Sequence, residues 1–249
     1  MNRRRFVLTA AGTLLTANVY AASRPRIAII IDDLGYQLAA GRRALALPGP
    51  IAFAVLPETP HGRRLAMLAN DAGREVLLHL PLQAANHEGP AEPGGITLDM
   101  TRGAFRTTFA AAMETVPFAV GVSSHRGSLL TRHPGHMAWL MQEIRAREDL
   151  FFIDSFTTHE SVALQVAREE GVWAARRDVF LDHERTTDAV AREFERLKHK
   201  ARRQGHAVAI GHPFPETLEV LEERLPRLGD QGFDLVTVGE LIRDERNRI

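Results

Sequence analysis

IAIIIDDLGY, residues 27–36, decides the fold: five apolar residues of strand character run straight into two carboxylates, Asp32 and Asp33, and then into a glycine turn at Gly35. A strand that is apolar at nearly every position is buried on both faces, as in a parallel sheet covered by helices. The same grammar recurs down the chain. EVLLH ends at His79, FAVGVSSH at His125, LFFID at Asp154, DVFLD at Asp182 and AVAIGH at His212. In parallel α/β folds the carboxyl ends of the strands open on one face, and chemistry collects there. These polar residues, scattered over most of the chain, are therefore expected to share one pocket.

Working outward, helical patterns alternate with the apolar runs. Helices are predicted over 38–47, 60–70, 105–116, 137–144, 160–170 and 187–204, with a further one opening near Pro215. Pro48, Gly73, Pro117 and Gly205 supply stops between elements. Further strands are predicted over 51–56, 75–78, 118–122, 150–153, 172–174, 207–210 and 235–238. Seven or eight βα units of this kind predict an α/β fold, a distorted (β/α) barrel of the TIM type rather than an open sheet. One stretch breaks the pattern. Residues 82–100 hold Pro90, Pro93 and several glycines, too irregular for a helix, and are expected to border a substrate groove.

The 249 residues are 45% hydrophobic and 25% charged, an ordinary globular composition for which one domain suffices. With 31 basic and 31 acidic residues the formal net charge is zero, so no field draws in nucleic acid or an acidic membrane, and neither is expected as a partner. Cysteine is absent, which excludes disulfides, a thiolate zinc site and cysteine nucleophiles, so any metal must be held by His, Asp or Glu. No glycine-rich phosphate motif argues for a nucleotide.

The first 21 residues read as an export signal rather than as fold. Arg3, Arg4 and Arg5 precede a mostly apolar stretch, and Val19-Tyr20-Ala21 offers a small-residue cleavage pattern before Ala22. RRRFVL also resembles the twin-arginine pattern, the alternatives being an ordinary secretory signal or an uncleaved anchor. The apolar stretch is short for a spanning helix and is interrupted by Gly12, Thr13, Thr16 and Asn18. The mature chain, residues 22–249, is then a single barrel, periplasmic or secreted, without a stable membrane anchor.

Each candidate residue also has a plain structural reading. Asp32-Asp33 can cap a helix after a strand, and adjacent strand residues serve one site only if the chain begins to turn there, which Gly35 permits. Taken singly, His79 reads as a hydrogen-bonded core histidine, His125 as a loop residue and His212 as a turn residue before Pro213. Asp154, followed by Ser155, Thr157 and Thr158, reads as a cap, and Asp182 does likewise. Together they offer a carboxylate and imidazoles at neighbouring strand ends, a usual three-ligand set for catalytic zinc that also suits non-haem iron.

IAIIIDDLGY, EVLLHLPL, GVSSHRGS, FFIDSFTT, RDVFLD and IGHPFPETL, in this order and over almost the whole mature chain, resemble the divergent polysaccharide deacetylases. The resemblance implies the distorted barrel of the polysaccharide deacetylase superfamily and a divalent metal, with zinc expected, held by Asp33, His79 and His125. It also implies Asp32 as catalytic base and His212 as acid. The motifs depart from the family in places. Polysaccharide deacetylases of the best-known type carry a second metal histidine four residues after the first, where Gln83 stands here, and His125 becomes the candidate instead. Within the divergent family Asn-Asn is expected at Ser123-Ser124, Met at Arg126 and Arg at Phe156. Loss of an arginine at Phe156 removes a bidentate partner for Asp154 or for substrate, a role that Arg126 can take over.

The activity so implied is hydrolysis of acetyl groups on an acetylated envelope glycan, with Asp182 or Asp154 orienting His212 and Arg126 near the substrate. The rival is a catalytically silent barrel that binds glycan or an envelope protein partner through its long loop.

Overall fold

The computed structural model describes residues 24–86 and 91–246; the stretch read as an export signal, residues 1–21, lies outside the described residues, as does part of the long loop. Strands and helices alternate: β1 (Arg26–Leu34), α1 (Leu38–Leu45), β2 (Ala52–Val55), α2 (Gly62–Asp71), β3 (Glu75–Leu82), α3 (Arg102–Thr115), β4 (Ala119–Arg126), α4 (Pro134–Arg145) and β5 (Phe151–Asp154). There follow α5 (Ala163–Glu169), β6 (Ala174–Arg176), β7 (Val179–Phe180), α6 (Thr187–Gln204), β8 (His206–Gly211), α7 (Pro215–Arg224), β9 (Asp234–Leu235) and α8 (Val238–Arg246).

All pairings are parallel, in the order β6-β5-β4-β3-β2-β1-β8-β7, with β9 added beside β1. The two ends of this order, β6 and β7, are separated in sequence by Arg177 and Asp178 alone. Three peptide steps span at most about 11 Å, so the sheet must curl until its edges approach. The backbone shows the handover directly: the Arg177 amide donates to Asp154 O on β5 at 3.0 Å, and the Asp178 amide donates to Val208 O on β8 at 2.8 Å. One passage of chain thus pairs first with one edge and then with the other. The predicted distorted barrel is what the chain forms, as a curled half-barrel of eight parallel strands whose seam lies at these two residues.

Strand alternation splits the apolar residues into two layers. Ile27, Ile29 and Ile31 face outward into the large cluster under the helices, with Leu65, Phe105 and Phe194. Ala28, Ile30, Ala52, Ala54, Leu77 and Val208 face inward and form a second, smaller cluster. Alanines suit that narrow interior. Its floor is Val238, Leu241 and Ile242 of α8.

That helix corrects the predicted strand over 235–238, which stops at Leu235. Thr237 and Glu240 form a reciprocal capping box: the Glu240 amide donates to Thr237 Oγ1 at 3.1 Å and the Thr237 amide to Glu240 Oε2 at 3.3 Å. The apolar run reads as a strand, but the cap turns it into a plug. Leu241→Ala is expected to cost about 2–5 kcal/mol, because the cavity opens inside a closed layer. A denaturant midpoint unchanged by that substitution would show that α8 does not seal the interior.

Candidate functional site

The site is built at the carboxyl end of β1. Inward-facing positions 28 and 30 are followed by Asp32, which is 2% exposed. Asp33 should then point outward, but its φ is +59°, and the β1–β2 register slips between Ile31 and Leu34. Three residues on β1 oppose two on β2, which is a bulge. Asp tolerates the left-handed region better than most residues, and the bulge brings both carboxylates to one side. The sequence reading assigned the turn to Gly35. The turn begins two residues earlier, and Gly35, at φ +144°, is needed because a Cβ there would collide with Thr59.

His79 lies inside β3, not beyond its end, because the strand continues to Leu82. It follows Leu77 in the inward-facing series and is 1% exposed. On β4, which likewise runs past the predicted end, His79 pairs in register with Ser123, and His125 is the next inward residue. Ser123 and Ser124 are buried and turned to the next loop: Ser124 Oγ accepts from the Ser155 amide at 3.0 Å.

These elements bring three donor atoms together. His79 Nε2 lies 3.1 Å from Asp33 Oδ1, His125 Nδ1 lies 3.0 Å from the same oxygen, and the two nitrogens are 3.1 Å apart. Donors held at about 2.0–2.1 Å from a tetrahedral ion are about 3.3 Å from one another, so the trio has the edge lengths of a coordination face. Although both ring nitrogens are close, Asp33 Oδ1 is buried without a well-directed hydrogen bond. With the His125 proton on Nε2, toward Glu92, and the His79 proton on Nδ1, the three atoms present lone pairs to one point. The residues present therefore fit a divalent cation.

Two carboxylates in one pocket are driven apart. Burial pushes Asp32 up, against the attraction of His79 and His212. Burial acts on Asp33 in the same sense, but contacts with His125 and His79 overcome it and hold that carboxyl well below the usual range. Burial would lower His79, yet Asp32 and Asp33 raise it.

His212 approaches from the end of β8. Its Nδ1 is 2.9 Å from Asp182 Oδ1, and its own amide donates to Asp182 Oδ2 at 2.6 Å. Thr217 Oγ1 donates to that oxygen at 2.8 Å. With Asp182 on Nδ1, the Nε2 edge is turned toward Asp33 Oδ2, 3.6 Å away. Phe180 meets the ring edge-on at 5.2 Å and Phe214 stacks on it at 5.3 Å. Burial lowers the affinity of this imidazole for a proton, but the Asp182 hydrogen bond wins and raises it.

Of the two acids considered as partners of His212, the structure brings Asp182 to it and not Asp154. Asp154 accepts from the Phe156 amide at 2.8 Å and from Ser161 Oγ at 2.8 Å, and so ties down the loop after β5. Arg126 pairs with Glu92, Nε to Oε1 at 2.8 Å. The other Glu92 oxygen lies 3.2 Å from His125 Nε2. Glu92 thus stands behind His125 as a carboxylate orients a metal-bound imidazole. Sequence reasoning placed its loop at a groove but did not single out Glu92, which has no periodic neighbours to mark it. The loop is anchored where Ile96 is buried, its amide donating to Pro81 O at 2.9 Å. Thr217 was also missed, since a threonine in a helical first turn looks ordinary.

The family model described as divergent polysaccharide deacetylase matches residues 29–242. An uncharacterized protein of Haemophilus influenzae is 36% identical over 227 residues, which cover 91% of this chain and 80% of that one. Among solved structures, uncharacterized protein ATU2773 from Agrobacterium tumefaciens aligns with a TM-score of 0.84 at 22% identity, over 89% of this chain and 90% of that chain. A mutant of BA3943 from Bacillus anthracis, a CE4 family pseudoenzyme with restored enzymatic activity, aligns at 0.55 and 14% identity, over 89% of this chain and 68% of that chain.

Proposed function

The chain belongs to the divergent polysaccharide deacetylase family, and from that premise we propose that it is a metal-dependent hydrolase that removes acetyl groups from an envelope glycan. The observation that carries the reading is the trio Asp33 Oδ1, His79 Nε2 and His125 Nδ1, with Asp32 on one side and His212 on the other. A divalent cation, zinc in this reading, would be held by the trio and would supply Lewis acidity to the acetyl carbonyl and to the attacking water.

The remaining work falls to the chain's own side chains. Asp32 sits outside the trio, its Oδ2 3.6 Å from His79 Nε2, and burial raises its affinity for a proton. It takes the proton of the water as that water attacks the acetyl carbon. His212, whose affinity for a proton Asp182 raises, gives its Nε2 proton to the leaving amine or alcohol as the C–N or C–O bond breaks. Phe180 and Phe214 hold the ring in place for that transfer. With residues 1–21 read as an export signal, the reaction takes place in the periplasm or outside the cell. Among the described residues no helix is long and apolar enough to cross a membrane.

A silent barrel is the second reading. It draws on the serines at 123 and 124, on Arg126 and on Phe156 in place of an arginine, and on the fold-level likeness to the pseudoenzyme. Acetate release separates the two. The zinc-loaded chain is expected to free acetate from acetylated chitin, xylan or peptidoglycan fragments and to stop when a chelator is added. A fully metalated chain that releases acetate from none of them would favour the binding module instead.

A further inference from the structure

At the seam of the sheet lies a cleft of about 560 Å³ that none of the trio lines. One wall is the handover segment, Arg176, Arg177, Asp178 and Phe180, and the other is a face of α6. Arg192, Arg196 and Lys200 line that face at intervals of four residues, which sets them in a row along the helix. Five arginine and lysine side chains line the cleft against three acids, Asp178, Glu184 and Glu193, in a chain whose formal net charge is zero. The excess of positive charge is therefore local.

How these cations are held shows what they are free to do. The Arg176 guanidinium lies over the Phe156 ring at 4.3 Å and that of Arg177 over Phe180 at 4.8 Å. Arg177 also donates to the carbonyls of Ser155 and Phe156, at 2.7 and 3.0 Å. Neither has a carboxylate at ion-pair distance among the described residues. The α6 cations have partners, Arg192–Glu184 at 3.6 Å, Arg196–Glu193 at 3.1 Å and Lys200–Asp178 at 3.5 Å. Such partly exposed pairs are weak, and a ligand anion can exchange into them. The aromatic floor fixes two guanidinium planes, the arrangement that suits a planar or tetrahedral oxyanion.

The cleft shares a wall residue with the reaction centre. Phe180, beneath Arg177, is the same ring that meets His212, and Asp182 follows two residues later. We propose that the seam cleft is an anion-recognition subsite, holding the carboxylate or phosphate of a sugar unit while the acetyl group of a neighbouring unit reaches the trio. This rests on the deacetylase reading and narrows it to glycans that carry negative charge. The volume suits a sugar unit rather than a nucleic acid strand.

The test measures binding, which needs no turnover. Titrating the full chain by calorimetry with an oligouronate, with a phosphorylated oligosaccharide, with neutral chitotetraose and with oligoglutamate separates the sources of the anion. The chain is expected to bind one or both anionic sugars more tightly than chitotetraose, with affinity falling as salt is raised. Arg176→Ser combined with Arg192→Ser should weaken that binding by about tenfold or more, the size of one lost charge-assisted hydrogen bond. Arg64→Ser, an exposed cation on α2, should leave it unchanged. Equal affinity for neutral and anionic sugars, no effect of the double variant, or binding of oligoglutamate alone overturns the proposal, the last by moving the surface to an acidic protein partner. If no glycan releases acetate yet the anionic sugars bind as stated, the deacetylase reading fails and the subsite stands.

Discussion

Asp32→Asn is expected to keep a full complement of metal and to lower turnover by about 10² to 10⁴-fold, the range for loss of a general base. The substitution preserves shape and removes the ability to take a proton together with the negative charge that His79 and His212 feel. Asp32 lies outside the trio, and its Oδ1 is buried without a hydrogen-bond partner. Metal content by elemental analysis and acetate release under saturating glycan are the two measurements. A variant that loses metal, or one that turns over at the original rate, would show that Asp32 is not the base.

His79→Ala carries the opposite expectation: stoichiometric metal is lost while circular dichroism and the unfolding transition of the barrel persist. His79 supplies one of three donor atoms, and removing it leaves a pair too weak for a divalent ion. Glu92→Gln should act through His125 and weaken metal affinity by about 10 to 100-fold without abolishing binding, as expected of a partner that only orients a ligand. If His79→Ala retains metal in full, the ion sits elsewhere. Should Glu92→Gln match His79→Ala in severity, Glu92 is itself a ligand.

The barrel was legible because its signal is repeated: buried parallel strands give apolar runs, and most of the runs became strands within a few residues of the predicted limits. The convergence of Asp32, Asp33, His79, His125 and His212 followed from the shared topology of strand ends. What the sequence did not disclose depends on contacts between distant parts. A carboxylate after a strand can cap a loop or face a pocket, and only the side-chain partners separate Asp154, bound to Ser161, from Asp182, bound to His212. Glu92 reaches His125 from a loop with no periodicity, and the bulge at Asp33 leaves no mark on a run of apolar residues. The stretch after Leu235 misled for another reason, since two valines outweigh a capping box unless threonine and glutamate three apart are looked for.

The handover at Arg177 and Asp178 bears on how this barrel can change over time. A ring of strands joined throughout by hydrogen-bonded ladders resists insertion, because any added residue shifts a whole register. Here the two ends of the sheet meet in a single thread of chain, the Arg177 amide on one ladder and the Asp178 amide on the other. Residues inserted between those two amides would disturb neither ladder and would enlarge the mouth on the side where the sugar chain is proposed to lie. Relatives that accept bulkier glycans should therefore differ in length at this point before they differ anywhere else in the sheet, the seam acting as the place where a fixed scaffold is let out or taken in.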